Sequence, residues 1–122
     1  MAVQVKAING FNWQFDIRKY VDAHMHEDGE HQVLGEPLPE PFPDLMCILV
    51  LLKGTGKDRF FVLSWKELQD VLVRGYEAYL LKFGGKRPKK QDSFHTALES
   101  KDIDSFENKW RKILDRIPEG AK

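Results

Sequence analysis

The sequence predicts a mixed α/β or α+β domain, in which a largely antiparallel sheet is flanked by two amphipathic helices. Short segments near the start alternate apolar and polar residues, as half-buried strands do. Residues 45–52 form a continuous apolar run, which is typical of a central strand buried on both faces. Residues 65–83 carry apolar side chains at spacings of three and four, which indicates a helix. With 122 residues, 42% of them hydrophobic, we expect a single domain over residues 1–122.

The first 17 residues are predicted to form a hairpin. Residues 3–8 and 11–17 alternate like strands, and Asn9 and Gly10 between them form a tight-turn dipeptide. Residues 18–44 are predicted to be a long irregular loop, because they hold three histidines, several acids and four prolines. Proline lacks the amide hydrogen that sheets and helices use. Loops of this length are often functional.

The middle of the chain is predicted to contain two strands followed by a helix. Residues 53–58 hold two glycines and form the turn between the apolar run 45–52 and a returning strand at 59–63. Ser64 and Glu67 have the spacing of a capping box, in which the hydroxyl and the carboxylate satisfy early backbone amides of the helix. The first long helix is therefore expected to begin directly after the returning strand.

The last third of the chain is predicted to hold a short edge strand and a second helix. The glycines at 84–85 end the first helix, and residues 93–98 read as the edge strand. The second helix is expected to begin near Asp102 and to end at Pro118 and Gly120. Its apolar side chains repeat at helical spacing: Ile103, Phe106, Trp110, Ile113, Leu114 and Ile117.

Charge and cysteine content indicate a cytoplasmic protein without a membrane partner. The formal net charge is +0, from 19 basic and 19 acidic residues, so any charged partner must be held by a local patch. The single cysteine, Cys47, lies in the apolar run and is predicted to be buried. It has no partner for an intrachain disulfide, which fits a reducing compartment. The apolar run is shorter than the roughly 20 residues that span a bilayer, and the start lacks the pattern of a signal peptide.

Gln4 and Lys6 lie one residue apart on the first predicted strand. Glutamate or glutamine followed by any residue and lysine, on a strand, is half of the site of one class of metal-dependent nucleases. The motif is only three residues long. It also fits two polar residues on the solvent face of an edge strand.

Together with residues 12–15, the buried run and the strand-to-helix junction at 58–64, this motif resembles uncharacterised bacterial proteins of the restriction-endonuclease-like superfamily, the PD-(D/E)xK nucleases. Residues 85–88, 93–95 and Trp110 are similar to the end of such small proteins, so the resemblance spans most of the chain. It implies that Gln4 is a ligand of Mg²⁺ or Mn²⁺ and that Lys6 is the catalytic lysine, which positions and activates a water.

The chain departs from the superfamily pattern at the acidic ligand. The superfamily aspartate lies on the strand before the motif, and only three residues precede Gln4, so we expect a truncated or degenerate relative. A neutral amide alone binds a hard divalent ion poorly. We therefore expect no efficient nuclease from this chain. An active Mg²⁺-dependent endonuclease would need a carboxylate from elsewhere: a missing N-terminal segment, a partner subunit, Asp16 or Asp44.

Residues 82–90 form the one dense basic patch of the sequence. Its five cations surround a glycine turn and are candidates for contacts with DNA phosphates: Lys82, Lys86, Arg87, Lys89 and Lys90. The competing interpretation is a solvated connector that keeps the protein soluble.

Three histidines between residues 24 and 31 form an alternative candidate metal site. His24 and His26 are one residue apart, so both imidazoles lie on one face of an extended segment, and His31 or an acid completes the set. The competing interpretation is a solvated acidic loop with adventitious affinity for transition metals.

These patterns lead to one functional hypothesis and one alternative. The first is a nucleic-acid-associated module, related to metal-dependent nucleases but without a complete catalytic site. The alternative is a protein-interaction or assembly module that does not bind nucleic acid. It would form a homodimer through the exposed edge of the N-terminal strand, or dock a partner along the proline-rich residues 37–43.

Overall fold

The computed structural model describes residues 1–118, which form a mixed α+β structure with mostly antiparallel strand pairs and few helices. The strands of this part of the chain are β1 (Ala2–Ile8), β2 (Asn12–Asp16), β3 (Val21–Met25), β4 (Gln32–Pro37), β5 (Leu45–Leu51), β6 (Arg59–Ser64) and β7 (His95–Glu99). The helices are α1 (Trp65–Lys82) and α2 (Arg111–Leu114), and short 3-10 turns cover Ile17–Lys19, Ser100–Asp102 and Asp104–Phe106.

The chain divides into two compact units. The first contains Met1–Trp13, Glu40–Leu68 and the chain from Leu98 onward; the second contains Gln14–Pro39 and Gln69–Ala97. The first unit holds β1, β5, β6 and α2, and the second holds β3, β4 and most of α1.

A three-stranded sheet in the order β1, β5, β6 organises the first unit. The predicted central strand is confirmed, because β5 lies between a parallel β1 and an antiparallel β6 and is buried along almost its whole length. The predicted turn after it is confirmed too. One carboxylate oxygen of Asp58 accepts from the amides of Lys53 at 2.7 Å and Gly54 at 3.0 Å, which closes the hairpin between β5 and β6.

Trp13 belongs to the hydrophobic core of the first unit. It is fully buried, and its ring meets Phe61 edge to face with 5.7 Å between ring centroids. Its indole Nε1–H donates to the carbonyl of Lys6 at 3.1 Å, so the buried ring also has a partner for its polar atom. Trp13 therefore links the backbone of β1 to a core residue of β6.

The predicted N-terminal hairpin is wrong. β1 pairs with β5 in parallel, and β2 pairs with β7. The Asn9–Gly10 dipeptide indicates a turn but does not determine which strand pairs with β1. All seven residues of β1 pair with the buried β5 instead. Residues 9–11 between the two strands form a bend, in which the side chain of Phe11 is 91% exposed.

The prediction of an irregular loop at residues 18–44 is also wrong, because β3 and β4 form an antiparallel pair there. Their connection is closed by the amide of His26, which donates to the carbonyl of His31 at 2.8 Å. In β3, exposed positions alternate with buried or half-buried ones, so Asp22 and His24 are exposed strand residues rather than markers of a loop. In β4, the polar Gln32 is buried, whereas Glu36 is exposed. The prolines cluster from Pro37 onward, where β4 ends.

The predicted start and end of α1 are confirmed. Glu67 accepts from the amide of Ser64 at 2.8 Å, and the Ser64 hydroxyl accepts from the amide of Glu67 at 3.0 Å, which completes the capping box. At the other end, the Gly85 amide donates to the Leu80 carbonyl at 2.7 Å, and Gly84 and Gly85 both have positive φ.

The second predicted helix, from Asp102 to Ile117, is wrong as a single element. The segment forms two 3-10 turns and the four-residue α2. Residues 107–108 run beside β6 instead: the Asn108 amide donates to the Phe60 carbonyl at 2.9 Å, and Glu107 binds Arg59 through two contacts of 2.9 Å. Asn108 has positive φ, which interrupts a helix. The predicted stop at Gly120 lies outside the described residues.

Candidate functional site

Gln4 and Lys6 lie on β1, beside apolar neighbours. Their register partners on β5 are Cys47 and Leu49. The amide oxygen of Gln4 is 3.9 Å from the sulfur of Cys47, whose pKa is raised to about 11 by burial. Across β5, the same row continues onto β6 with Leu63 and Phe61. The strands beside the motif therefore supply no carboxylate to it.

Asp16 and Asp44, the two residues that could supply the missing carboxylate, are each bound by an arginine. Asp16 makes two contacts with the guanidinium of Arg18, at 3.0 and 2.8 Å, and these hydrogen bonds lower its pKa. Asp44 accepts from Arg116 at 2.7 Å. Asp16 belongs to the second unit, whereas Gln4 belongs to the first. A metal at Gln4 and Asp16, and catalysis by Lys6, stay predictions.

The outer edge of β1 is the most open part of the three-stranded sheet. The Leu52 amide donates to the Ile8 carbonyl at 2.7 Å, which shows that Ile8 points its backbone groups towards β5. In a parallel pair these directions alternate along the strand, so Val3, Val5 and Ala7 point their N–H and C=O groups away from β5. Within residues 1–118, no strand pairs with that side of β1.

The side chains of the same three residues are exposed. Val3 is 44% and Val5 62% exposed, and Ala7 is exposed as well. Their register partners on β5 are apolar: Met46, Ile48 and Val50. One interpretation of the sequence placed Gln4 and Lys6 on the solvent face. Gln4 is exposed as that interpretation expects, whereas Lys6 is half-buried and Val5 between them is exposed as well. The edge thus combines unpaired backbone groups with an apolar stripe.

The basic patch is only partly available for a ligand. Lys86 lies 3.8 Å from a carboxylate oxygen of Glu30. Arg87 donates to the His95 carbonyl at 2.7 Å and lies over the ring of Tyr79, so it acts within the fold of the second unit. The exposed cations of the predicted set are Lys82, Lys89 and Lys90.

The histidine-rich segment forms the tip of the β3–β4 pair. Asp28, Glu30 and His31 bring one ligand atom each within 4.8 Å of one another. One oxygen of Asp28 accepts from the amides of Glu30 and His31, at 2.8 and 2.9 Å, and these bonds lower the pKa of its carboxyl. The other lies 2.5 Å from Nδ1 of His31 and 3.6 Å from Nδ1 of His26.

The tip brings together only part of the predicted histidine set. His26 and His31 both lie near Asp28, whereas His24 has Asp22 as its neighbour, at 3.9 Å. Asp28 was not singled out from the sequence. The signal that would have found it is the Asp28–Gly29 dipeptide, a strong marker of a hairpin turn. The groups are exposed or half-exposed and pair with one another, so a metal ion would compete with water and with the hydrogen bonds at Asp28.

No helix within residues 1–118 is both long and apolar enough to cross a membrane. The comparisons with known proteins gave no match: no protein-family model, no curated protein and no solved structure is similar to this chain.

Proposed function

We propose that this chain is an assembly module that accepts a further β-strand at the outer edge of β1. The observation that supports this most strongly is the coincidence, on Val3, Val5 and Ala7, of outward backbone groups and exposed apolar side chains. An unpaired strand edge is a ready template for another strand, and main-chain hydrogen bonds supply affinity when one is added.

The two sides of the sheet differ in this respect. At the β6 side, residues 107–108 already approach the edge through the Asn108 amide and a bridge between Phe61 and Glu107. At the β1 side, few of the features are present by which monomeric proteins prevent an edge strand from pairing with another chain. β1 is seven residues long, has no proline, and carries one charged residue, Lys6. The edge of β1 is therefore the better candidate for a partner strand.

Placing a charge at this edge tests the proposal. Val5→Lys leaves the pairing with β5 intact, because the Val5 backbone points outward and its side chain is 62% exposed. We expect the wild-type chain, of 14.2 kDa, to show a mass that rises with concentration, and the variant to assemble about tenfold more weakly, since the charge must be brought against an apolar stripe. Sedimentation equilibrium measures both.

The matched control is Val33→Lys, the same substitution at an exposed valine of β4. It should assemble like the wild type. A wild-type chain that stays monomeric at every concentration, or two lysine variants that behave alike, would contradict assembly at the β1 edge.

We propose nucleic-acid contact as a second candidate function, in keeping with the resemblance to the restriction-endonuclease-like superfamily. It is favoured by three exposed cations around the turn that ends α1: Lys82, Lys89 and Lys90. Among the described residues, Lys89 and Lys90 make no ion pair, so phosphates would meet no internal competitor there. The neighbouring Lys86 and Arg87 would contribute less, because each has a partner within the fold.

Charge reversal at these three lysines tests the second candidate. We expect the triple glutamate variant to bind labelled DNA at least about tenfold more weakly than the wild type at low salt, and the wild-type affinity to fall steeply as salt rises, because released counterions drive such binding. Fluorescence anisotropy with single- and double-stranded DNA, with and without Mn²⁺, measures this. The matched control reverses three exposed lysines elsewhere: Lys53, Lys57 and Lys109. Absence of binding at low salt, or an equal loss in both variants, would exclude this function.

A further inference from the structure

The outer edge of β1 is complementary to itself. Its outward backbone groups belong to Val3, Val5 and Ala7, which are spaced evenly about Val5. If two copies of β1 run antiparallel with Val5 opposite Val5, Val3 of each copy faces Ala7 of the other. Each of these facing pairs exchanges two hydrogen bonds, so the register forms about six, and every outward group of the three residues is satisfied.

Shifted registers satisfy fewer groups. Centring the pair on Gln4 or on Lys6 leaves only two facing pairs that exchange hydrogen bonds, which gives about four. Centring on Lys6 also places the two lysines directly opposite each other, and like charges in that position destabilise a strand pair. The register centred on Val5 is therefore the best of the three.

The side-chain contacts that this register would create are also favourable. Lys6 of one copy then lies opposite Gln4 of the second copy, in the type of pair that brings side chains closest. The Gln4 amide oxygen can accept from the ammonium group. On the other face, the exposed Val3, Val5 and Ala7 of both copies lie side by side and cover one another.

We infer that the strand received at this edge is β1 of a second copy of the chain, paired antiparallel about Val5, which joins two three-stranded sheets into one continuous sheet. The inference rests on the assembly function proposed above and specifies its partner. The interface is isologous, as in most homodimers, because the same surface of each copy is used.

Substitutions that place like and then opposite charges at positions 4 and 6 test this register. Gln4→Lys places a lysine opposite Lys6 of the second copy, twice per dimer by symmetry, and should weaken the dimer about tenfold. Adding Lys6→Glu restores an attractive pair at both places, so the double variant should return to the wild-type dissociation constant or below it. Sedimentation equilibrium gives the constants, and circular dichroism checks that each variant is folded.

Two controls separate pairing from net charge. Thr55→Lys adds one positive charge at the exposed turn between β5 and β6 and should leave the dimer unchanged. Gln4→Lys combined with Lys109→Glu has the same net charge as the rescued variant but should remain weakened.

The outcomes distinguish the register from the function. Rescue by Lys6→Glu but not by Lys109→Glu supports the Val5-centred dimer. A dimer that is weakened by Val5→Lys but indifferent to Gln4→Lys overturns this register and leaves assembly at the β1 edge standing. A wild-type chain that is monomeric throughout overturns both.

Discussion

Replacing Trp13 with alanine is expected to lower the free energy of unfolding by about 3–5 kcal/mol. The side chain is fully buried, so its removal leaves a large cavity among close-packed neighbours. It also removes the edge-to-face contact with Phe61 and leaves the Lys6 carbonyl without its indole donor. A small domain has only about 5–15 kcal/mol of stability, so the loss is a large part of the total.

Urea unfolding followed by far-ultraviolet circular dichroism measures this loss without depending on tryptophan fluorescence. The control is Trp110→Ala, because Trp110 is 38% exposed and packs against Phe60 at the surface of the same unit. We expect it to cost about 1 kcal/mol. Equal midpoints for the two variants would show that Trp13 does not organise this core.

Replacing Gln32 with alanine is expected to cost about 2–4 kcal/mol, the second largest effect. Gln32 is a buried polar side chain of the second unit, only 7% exposed. Its Nε2 donates to the carbonyls of Gln91 at 2.9 Å and Ser93 at 2.6 Å, and its Oε1 accepts from the Tyr76 hydroxyl at 2.6 Å. Truncation leaves the carbonyl of Gln91 without this donor in a part-buried position and opens a cavity.

A double-mutant cycle with Tyr76→Phe separates the network from simple packing. Tyr76 and Gln32 share one hydrogen bond, which either single substitution already removes. The losses of unfolding free energy in the two single variants should therefore add up to more than the loss in the double variant. Glu36→Ala, at an exposed position of the same strand, should stay within about 0.5 kcal/mol of the wild type. Strict additivity of Gln32→Ala and Tyr76→Phe would show that this bond contributes nothing.

The elements that sequence analysis predicted correctly carry strong local signals. The uninterrupted apolar run of β5 predicts a strand that is buried on both faces. The capping box and the two glycines mark the start and the end of α1 through local backbone hydrogen bonds. The missed elements depend on partners far along the chain. β1 pairs with β5 across some forty residues of sequence, and Asn108 joins the backbone of β6 instead of extending a helix.

In the candidate site too, the local features were predicted correctly and those that depend on distant parts of the chain were not. Gln4 and Lys6 were correctly placed on a strand at the edge of a sheet, but the sequence did not reveal that Val5 would be the exposed neighbour. Alternation tells which residues share a face, and only the position of the core tells which face is outside. Likewise, the cations of residues 82–90 were visible as a group, but the partners that occupy Lys86 and Arg87 come from distant segments.

Amide hydrogen exchange of the wild-type chain, followed by nuclear magnetic resonance, is the most direct test of assembly at the β1 edge. Gln4, Lys6 and Ile8 point their amides towards β5 and should be protected at every concentration. Val3, Val5 and Ala7 point theirs outward, so they should exchange quickly in dilute protein and become protected as the concentration rises. If these outward amides still exchange quickly at high concentration, no strand is added there and the assembly proposal is contradicted.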